Sequence, residues 1–205
     1  AGAARPVHWK EALAQLVEGN RRFVHGETRW VPVTPQELIK LETGHHPFAT
    51  VVGCSDSRVP IELIFDQGLG DLFVIRLAGN IVVDSHVQGS LEYAFAHLGT
   101  KLIVVLGHDN CGAVTAAMAK KEKRDKEPGG VRCILDHITP ICAKIDHKLP
   151  HKERLGLAIE ANVRESVKNV LAYPGHREAH QRGEFEVVGA VYDMHTGKVR
   201  FLDVA

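Results

Sequence analysis

The stretch from Leu102 to Leu106 is an uninterrupted run of large aliphatic residues, Leu-Ile-Val-Val-Leu. A strand with one face in water alternates apolar and polar residues, whereas a continuous apolar run is typical of a strand covered on both faces. Phe48 to Gly53 and Leu72 to Arg76 are similar short runs, and none approaches the roughly 18 residues of a membrane-spanning helix. The chain therefore needs helices on both sides of its sheet, which indicates an α/β fold.

Helix signals separate these strands. Regularly spaced apolar residues predict an amphipathic helix from about Trp9 to Val24. Capping boxes predict one helix that starts after Thr34 and ends near Glu42, and another that starts at Ser85 and continues to Leu98. The same reasoning predicts further helices over residues 111–119, 131–148 and 151–171, with a charged loop over residues 120–130.

The pattern closes with a hairpin over residues 185–193 and 198–203, joined by the turn His195-Thr196-Gly197. Strands that alternate with helices predict a mostly parallel central sheet flanked by helices, here followed by a C-terminal hairpin. We expect a single domain over residues 1–205, with an N-terminal helical arm over residues 1–43 and an α/β core over residues 44–205.

The charge balance bears on possible partners. Lys plus Arg and Asp plus Glu both number 25, so the chain lacks the basic excess of a nucleic-acid-binding protein. We therefore expect neither nucleic acid nor a membrane as a partner. Four cysteines in 205 residues are too few for a disulfide scaffold. We expect Cys133 and Cys142 to be buried, and the histidines outside the motifs, such as His176, to be mostly solvated.

Two short motifs directly follow buried strands: Gly53-Cys54-Ser55-Asp56-Ser57-Arg58 and Gly107-His108-Asp109-Asn110-Cys111-Gly112. The carboxyl ends of parallel strands meet at one edge of a sheet, so Cys54, His108 and Cys111 can converge there. Two thiolates and one imidazole suit zinc, and three protein ligands leave the fourth position open, as in catalytic sites. The sequence therefore predicts one zinc ion per chain.

Each ligand has a simpler interpretation when it is taken alone. A cysteine after a buried strand is usually a small core residue, and a single His-x-x-Cys pair is weak support for a metal site. The Cys-x-Asp-x-Arg spacing favours the metal, because Arg58 can hold the Asp56 carboxylate in a bidentate fork beside the ligand. We further expect Cys111 to be a thiolate, because the first turn of a helix favours negative charge.

These motifs resemble the signature of the β-class carbonic anhydrases, and the resemblance extends over nearly the whole chain. It implies that Cys54, His108 and Cys111 bind zinc, and that Asp56 and Arg58 form a catalytic dyad. The implied reaction is the reversible hydration of carbon dioxide to bicarbonate by zinc-bound hydroxide. The resemblance also implies a homodimer or a dimer of dimers in which the N-terminal helix extends onto the partner subunit.

The resemblance further suggests residues that contact the substrate. Phe73 and Tyr93 match positions that line the cleft of relatives, although their spacing fits plain core aromatics equally well. Gly112, in the second motif, is grouped with them. His45 stands where plant-type relatives carry a substrate-binding glutamine. It could donate a hydrogen bond, shuttle protons or be an exposed loop residue.

Two other functions compete with this one. A hydrolase of carbon disulfide or carbonyl sulfide would use the same motifs, and a non-catalytic zinc protein would bind Asp56 as a permanent fourth ligand. The compartment is also open: ligand thiolates favour the reducing cytoplasm, whereas a periplasmic enzyme that has lost its signal peptide is the alternative.

Overall fold

The computed structural model of the protein describes residues 6–29 and 33–202. Asp203 of the predicted hairpin, and residues 1–5 and 30–32 of the predicted arm, lie outside the described residues. The sheet has the order β2-β1-β3-β4-β5, with the first four strands parallel and the last antiparallel. Its strands are β1 (Ala49–Gly53), β2 (Leu72–Arg76), β3 (Leu102–His108), β4 (Glu186–Tyr192) and β5 (Val199–Leu202).

Helices connect the parallel strands and cover both faces of the sheet. In chain order they are α1 (Trp9–His25), α2 (Pro35–Glu42), α3 (Ile61–Ile64), a 3₁₀ turn (Ala78–Asn80), α4 (Ser85–Ala96), α5 (Gly112–Ala117), α6 (Lys121–Arg124), α7 (Gly129–Cys142), α8 (His151–Leu171) and α9 (Pro174–Gln181). None of the helices among the described residues is long and apolar enough to cross a membrane. This architecture confirms the predicted α/β class.

The two central strands explain why the apolar runs are continuous. Every residue of β1 and of β3 is buried, because helices pack against both faces. The edge strand β2 is only partly buried. The uninterrupted pattern of Leu102 to Leu106 therefore marked the centre of the sheet correctly.

Several predicted boundaries were wrong, and local hydrogen bonds explain one of them. Asp84, not Ser85, caps α4, because its carboxylate accepts hydrogen bonds from the amides of His86 and Val87. The helix then ends at Ala96 rather than at Leu98. The predicted loop at 120–130 contains α6, and α7 ends at Cys142 instead of reaching residue 148.

Besides α6, two further helices of the described chain were not predicted, α3 and α9. The four residues of α3 are too few to show helical periodicity. The helix α9 begins with Pro174 at its first position, and proline there is typical of a helix start.

The apolar stripe of α1 packs on its own chain. Ala12 and Leu16 are fully buried in one core cluster with strand residues. The Asn20 amide donates to the carbonyls of Ile64 and Gly197 and accepts from the Val199 amide. Most of the stripe is therefore covered within the subunit, although Val17 on the same helix is 48% exposed.

α2 is the opposite case. None of its residues is buried, and Leu38 and Ile39 are 52% and 64% exposed. Its capping box at Thr34 and Glu37 is formed as predicted. The N-terminal segment that lacks apolar cover is therefore α2.

Two expectations about side chains outside the motifs were also wrong. Cys133 is exposed, although Cys142 is buried as expected. His176 is buried and stacks on Phe185 with ring centroids 5.0 Å apart. Its spacing gave no sign of burial, because the α9 helix that positions it was not predicted.

Candidate metal centre

The site lies where β1 and β3 end side by side. Cys54 follows the last residue of β1, His108 is the last residue of β3, and Cys111 immediately precedes α5. β1 and β3 are neighbours in the sheet, so the two motifs meet. The Sγ atoms of both cysteines and a ring nitrogen of His108 lie within 4.8 Å of one another, and all three residues are buried.

The tautomer of His108 follows from its hydrogen bond. Its Nδ1 lies 2.8 Å from the Asp109 carbonyl oxygen, which can only accept, so Nδ1 carries the proton. Nε2 then presents a lone pair, and this buried atom has no hydrogen-bond partner among the residues that the structure describes. A fully buried ring nitrogen without a partner is costly in a folded protein, and a metal ligated by Nε2 removes that cost. The donor set therefore fits a metal ion such as zinc.

The two thiols do not ionise alike. The hydrogen bond from the Cys111 thiol, aided by the Gly79 amide 3.3 Å from Sγ, lowers the pKa of Cys54 to about 4 although burial opposes this. The same contact with Cys54, together with burial, raises the pKa of Cys111 even though the amides of Val114 and Ala113 favour its thiolate. The start of α5 favours the Cys111 thiolate, as expected, but the neighbouring Cys54 thiolate and burial outweigh this effect. Metal binding must release the Cys111 proton.

Asp56 reaches the same space from the first motif, and Arg58 holds it. Its Oδ1 accepts hydrogen bonds from the Arg58 backbone amide at 3.0 Å and from the Arg58 Nε at 2.9 Å. Its Oδ2 accepts one from the Arg58 Nη2 at 2.7 Å. These bonds hold the pKa of Asp56 well below its usual range, although desolvation opposes them. Oδ2 lies 4.0 Å from His108 Nε2, so an ionised carboxylate borders the metal position.

Comparison with known proteins shows the family of this chain. The protein-family model described as "Carbonic anhydrase" matches residues 49–199. The crystal structure of the β-carbonic anhydrase CafA of Aspergillus fumigatus superposes with a TM-score of 0.75 at 30% sequence identity, covering 96% of this chain and 91% of that chain. The chain belongs to the β-carbonic anhydrases.

Two further relatives support membership of this enzyme family. Carbonic anhydrase 2 of Mycobacterium tuberculosis is 39% identical over 193 residues, which cover 94% of this chain and 92% of the relative. A tetrameric β-carbonic anhydrase of Sordaria macrospora is 30% identical with a TM-score of 0.75, covering 95% of this chain and 96% of that chain.

The predicted substrate contacts occupy different places in this β-carbonic anhydrase. Gly112 adjoins the ligand Cys111 as the first residue of α5. Phe73 on β2 and Tyr93 on α4 contact each other with ring centroids 6.2 Å apart. Tyr93 is 49% exposed, so it is not a core aromatic. His45 is an exposed residue between α2 and β1.

Two residues that support the ligands are not among the predicted metal ligands, catalytic dyad or substrate contacts. The Asp109 carbonyl fixes His108, and its carboxylate accepts from the Met194 amide in the hairpin turn. Arg76 donates hydrogen bonds from Nε to the Cys54 carbonyl and from Nη2 to the Asp56 carbonyl. Asp109 lies inside a motif, which is a signal that was available. Arg76 ends a predicted strand, and nothing in the sequence spacing predicts that its guanidinium binds these carbonyls.

Proposed function

We propose that this β-carbonic anhydrase catalyses the zinc-dependent reversible reaction of carbon dioxide with water, which gives bicarbonate and a proton. One observation carries the proposal. The three soft donor atoms of Cys54, His108 and Cys111 converge within 4.8 Å, and the Asp56 carboxylate borders them at 4.0 Å from His108 Nε2.

One zinc ion per chain would be held by Cys54, His108 and Cys111. When bound, zinc lowers the pKa of a water molecule and so supplies a nucleophile near neutral pH. The protein supplies the rest of the site. His108 offers Nε2 because the Asp109 carbonyl fixes its tautomer, and such outer partners orient metal ligands.

Asp56 orients the attacking water. Once that water has given up one proton to solvent, the ionised Oδ2 would accept a hydrogen bond from its remaining hydrogen, which directs an oxygen lone pair at the carbon of carbon dioxide. Arg58 keeps the carboxylate ionised and holds both oxygens in place. Because neither Asp56 nor Arg58 gives up an atom, the two residues act only by position and charge.

The Arg58 contacts also argue against the non-catalytic alternative. A structural zinc site needs four permanent ligands, and Asp56 is the nearest candidate for the fourth. Its two oxygens are already held by three Arg58 groups, so ligation of a metal would compete with these charge-assisted bonds. An open fourth position is therefore favoured.

Phe73 and Tyr93 are proposed to line an apolar approach for carbon dioxide, with Gly112 beside the metal and His45 at the rim. Carbon dioxide is apolar, and the contacting rings of Phe73 and Tyr93 give an apolar surface. Carbon disulfide and carbonyl sulfide are linear molecules of similar shape, so the two sulfur compounds remain the competing substrates.

We propose that the enzyme is a homodimer or a dimer of dimers, with the arm of residues 1–43 contacting the partner and residues 1–205 forming one domain. The exposed apolar residues of α2 support contact with a second copy. A cytoplasmic location is proposed because all four cysteines are free, as is usual in reducing compartments.

Stopped-flow assays with a pH indicator test the proposed reaction. The zinc-loaded protein should hydrate carbon dioxide rapidly and should release little sulfide from carbon disulfide or carbonyl sulfide under the same conditions. Sulfide release with negligible carbon dioxide hydration would favour the competing hydrolase. Full zinc occupancy with no turnover of any of the three substrates would favour the non-catalytic protein.

A further inference from the structure

We infer that Asn162 on α8 is a positioning residue for the metal centre: it holds the loop at 77–82 so that the Gly79 amide donates a hydrogen bond to Cys54 Sγ. The inference rests on the metal ligands proposed above, but not on the reaction or its substrate. The amide nitrogen of Gly79 lies 3.3 Å from Sγ in a buried setting. Asn162 would therefore influence the metal centre through its ligand Cys54.

The backbone at Gly79 is suited to this bond only in one conformation. Gly79 has φ 73°, in the left-handed region that favours glycine. A Cβ there would lie 2.7 Å from Ile138 Cδ1 and 3.2 Å from Ala113 Cβ. A glycine of this kind leaves the chain free to rotate, so the position of its amide depends on what holds the neighbouring peptide groups.

α8 supplies that restraint through three side chains on one face. Asn162 Nδ2 donates to the Gly79 carbonyl at 2.7 Å, Ser166 Oγ to the Asn80 carbonyl at 3.0 Å, and Asn169 Nδ2 to the Val82 carbonyl at 3.0 Å. Asn162 and Ser166 are buried, and buried polar groups of this kind fix a unique geometry when they are satisfied. Of the three, only Asn162 binds the residue whose amide reaches the ligand.

The bond matters because of the charge of the ligand set. Two thiolates cancel the charge of a divalent metal ion, which weakens its pull on a bound ligand. An N–H group that donates to a thiolate draws electron density away from sulfur. The sulfur then donates less charge to the metal, and the metal attracts a further bound ligand more strongly. Loss of the restraint should therefore change both the electronic state of the sulfur and the affinity for the metal.

Cobalt substitution of the full-length protein gives a readout that does not depend on catalysis. In Asn162→Ala, the sulfur-to-cobalt charge-transfer band should move to longer wavelength, because a thiolate without its N–H donor holds its electrons less tightly. Affinity for Co²⁺, measured by competition with a chromophoric chelator, should fall by about ten-fold, as is typical when a partner of a metal ligand is lost.

Asn169→Ala is the matched control, because it removes the same kind of bond from the same helix at a residue that does not touch Gly79. It should keep the wild-type band and affinity. An equal shift in Asn169→Ala would overturn the inference, since it would indicate a general loosening of α8. A wild-type band and affinity in Asn162→Ala would overturn it as well.

If Asn162→Ala does not fold, Asn162→Leu decides, because leucine is close to asparagine in size but has no N–H group to donate to the Gly79 carbonyl. It should move the band in the same direction, and an unmoved band would then overturn the inference. A wild-type protein with no sulfur-to-cobalt band would contradict the metal centre itself. Failure to hydrate carbon dioxide would leave these spectra unchanged, so the two proposals can fail separately.

Discussion

Asp56 illustrates how one residue can be important for chemistry without binding the metal. Arg58 occupies both of its oxygens and holds its pKa well below the usual range, against the effect of desolvation. At neutral pH the carboxylate is therefore ionised and can accept a hydrogen bond but cannot donate one. Asparagine has nearly the same shape but presents an N–H group on one side, so it tests the charge and the acceptor role separately from the volume.

Asp56→Asn should keep one zinc per chain and lose turnover by about 100-fold, the usual size of an effect when a reacting group is no longer held in position. Zinc content by atomic emission and carbon dioxide hydration by stopped flow measure the two quantities. Asp125→Asn, which removes an exposed carboxylate paired with Lys121, serves as the control with unchanged activity. Wild-type turnover in Asp56→Asn would exclude Asp56 from the mechanism.

At the scale of elements, the start of α4 depends on a single carboxylate. Asp84 accepts hydrogen bonds from two amides of the first helical turn, and these bonds, outweighing desolvation, lower its pKa. Ser85, one residue later, is already the first residue of the helix. The capping motif Ser85-His86-Val87-Gln88 in the sequence is therefore accidental, because a carboxylate one position earlier takes the amides that a serine cap would use.

Asp84→Ala should lower the free energy of unfolding by about 1 kcal/mol at pH 7, whereas Ser85→Ala should change it by less than about 0.5 kcal/mol. Because the folded pKa of Asp84 is lowered, its contribution is present above the unfolded pKa and is lost as the pH falls through the folded pKa. The difference in the free energy of unfolding between wild type and Asp84→Ala, measured with urea, should therefore become smaller below about pH 4. A larger effect of Ser85→Ala would restore Ser85 as the cap.

The contact between α1 and the rest of the chain is tight at one glycine. A Cβ on Gly19 would lie 1.8 Å from the Phe65 carbonyl oxygen, so any side chain there must push α1 away from α3. Gly19→Ala should lower the free energy of unfolding by about 1–3 kcal/mol, the usual range for an overpacked site. Gly156→Ala on α8, where a Cβ meets nothing within 4 Å, is the control and should be neutral or slightly stabilising. Equal stability of the two variants would contradict the close approach.

Sequence reasoning succeeded for elements whose surroundings impose a long repeated pattern. The continuous apolar run of β3 revealed burial on both faces, and two strand ends in one sheet revealed where the ligands meet. Sequence reasoning failed where the contacts of a few atoms determine the structure. The burial of His176 depends on a helix of eight residues. The hydrogen bond from the Gly79 amide to Cys54 Sγ depends on side chains of α8 that lie more than 80 residues away along the chain. Neither leaves a periodic trace in the sequence.

At the scale of the whole molecule, α2 exposes two adjacent apolar residues, Leu38 and Ile39, whereas α1 exposes one, Val17. The other apolar residues at the centre of the α1 stripe are buried in their own subunit, so Leu38 and Ile39 are the residues that a second copy would cover. Contiguous exposed apolar residues of this kind are typical of protein–protein contacts. We therefore propose that α2 contacts the partner in the proposed oligomer.

Combined replacement of Leu38 and Ile39 by glutamate should reduce the solution mass to that of one chain, because charged side chains at a buried contact must lose their water. Light scattering coupled to size exclusion measures the mass. Val131→Glu, an exposed apolar residue on α7, should leave the mass of the wild-type oligomer unchanged. A wild-type protein that is already monomeric, or a double variant that keeps the oligomer, would refute the role of α2.

The central claim is that Cys54, His108 and Cys111 hold one metal ion that the enzyme needs for carbon dioxide hydration. The most direct test is a titration of the metal-free protein with Zn²⁺ in which the hydration rate is recorded after each addition. The account predicts a linear rise that stops at one equivalent per chain, and no such rise in His108→Ala. Hydration by the metal-free protein, or an unaltered titration in His108→Ala, would contradict it.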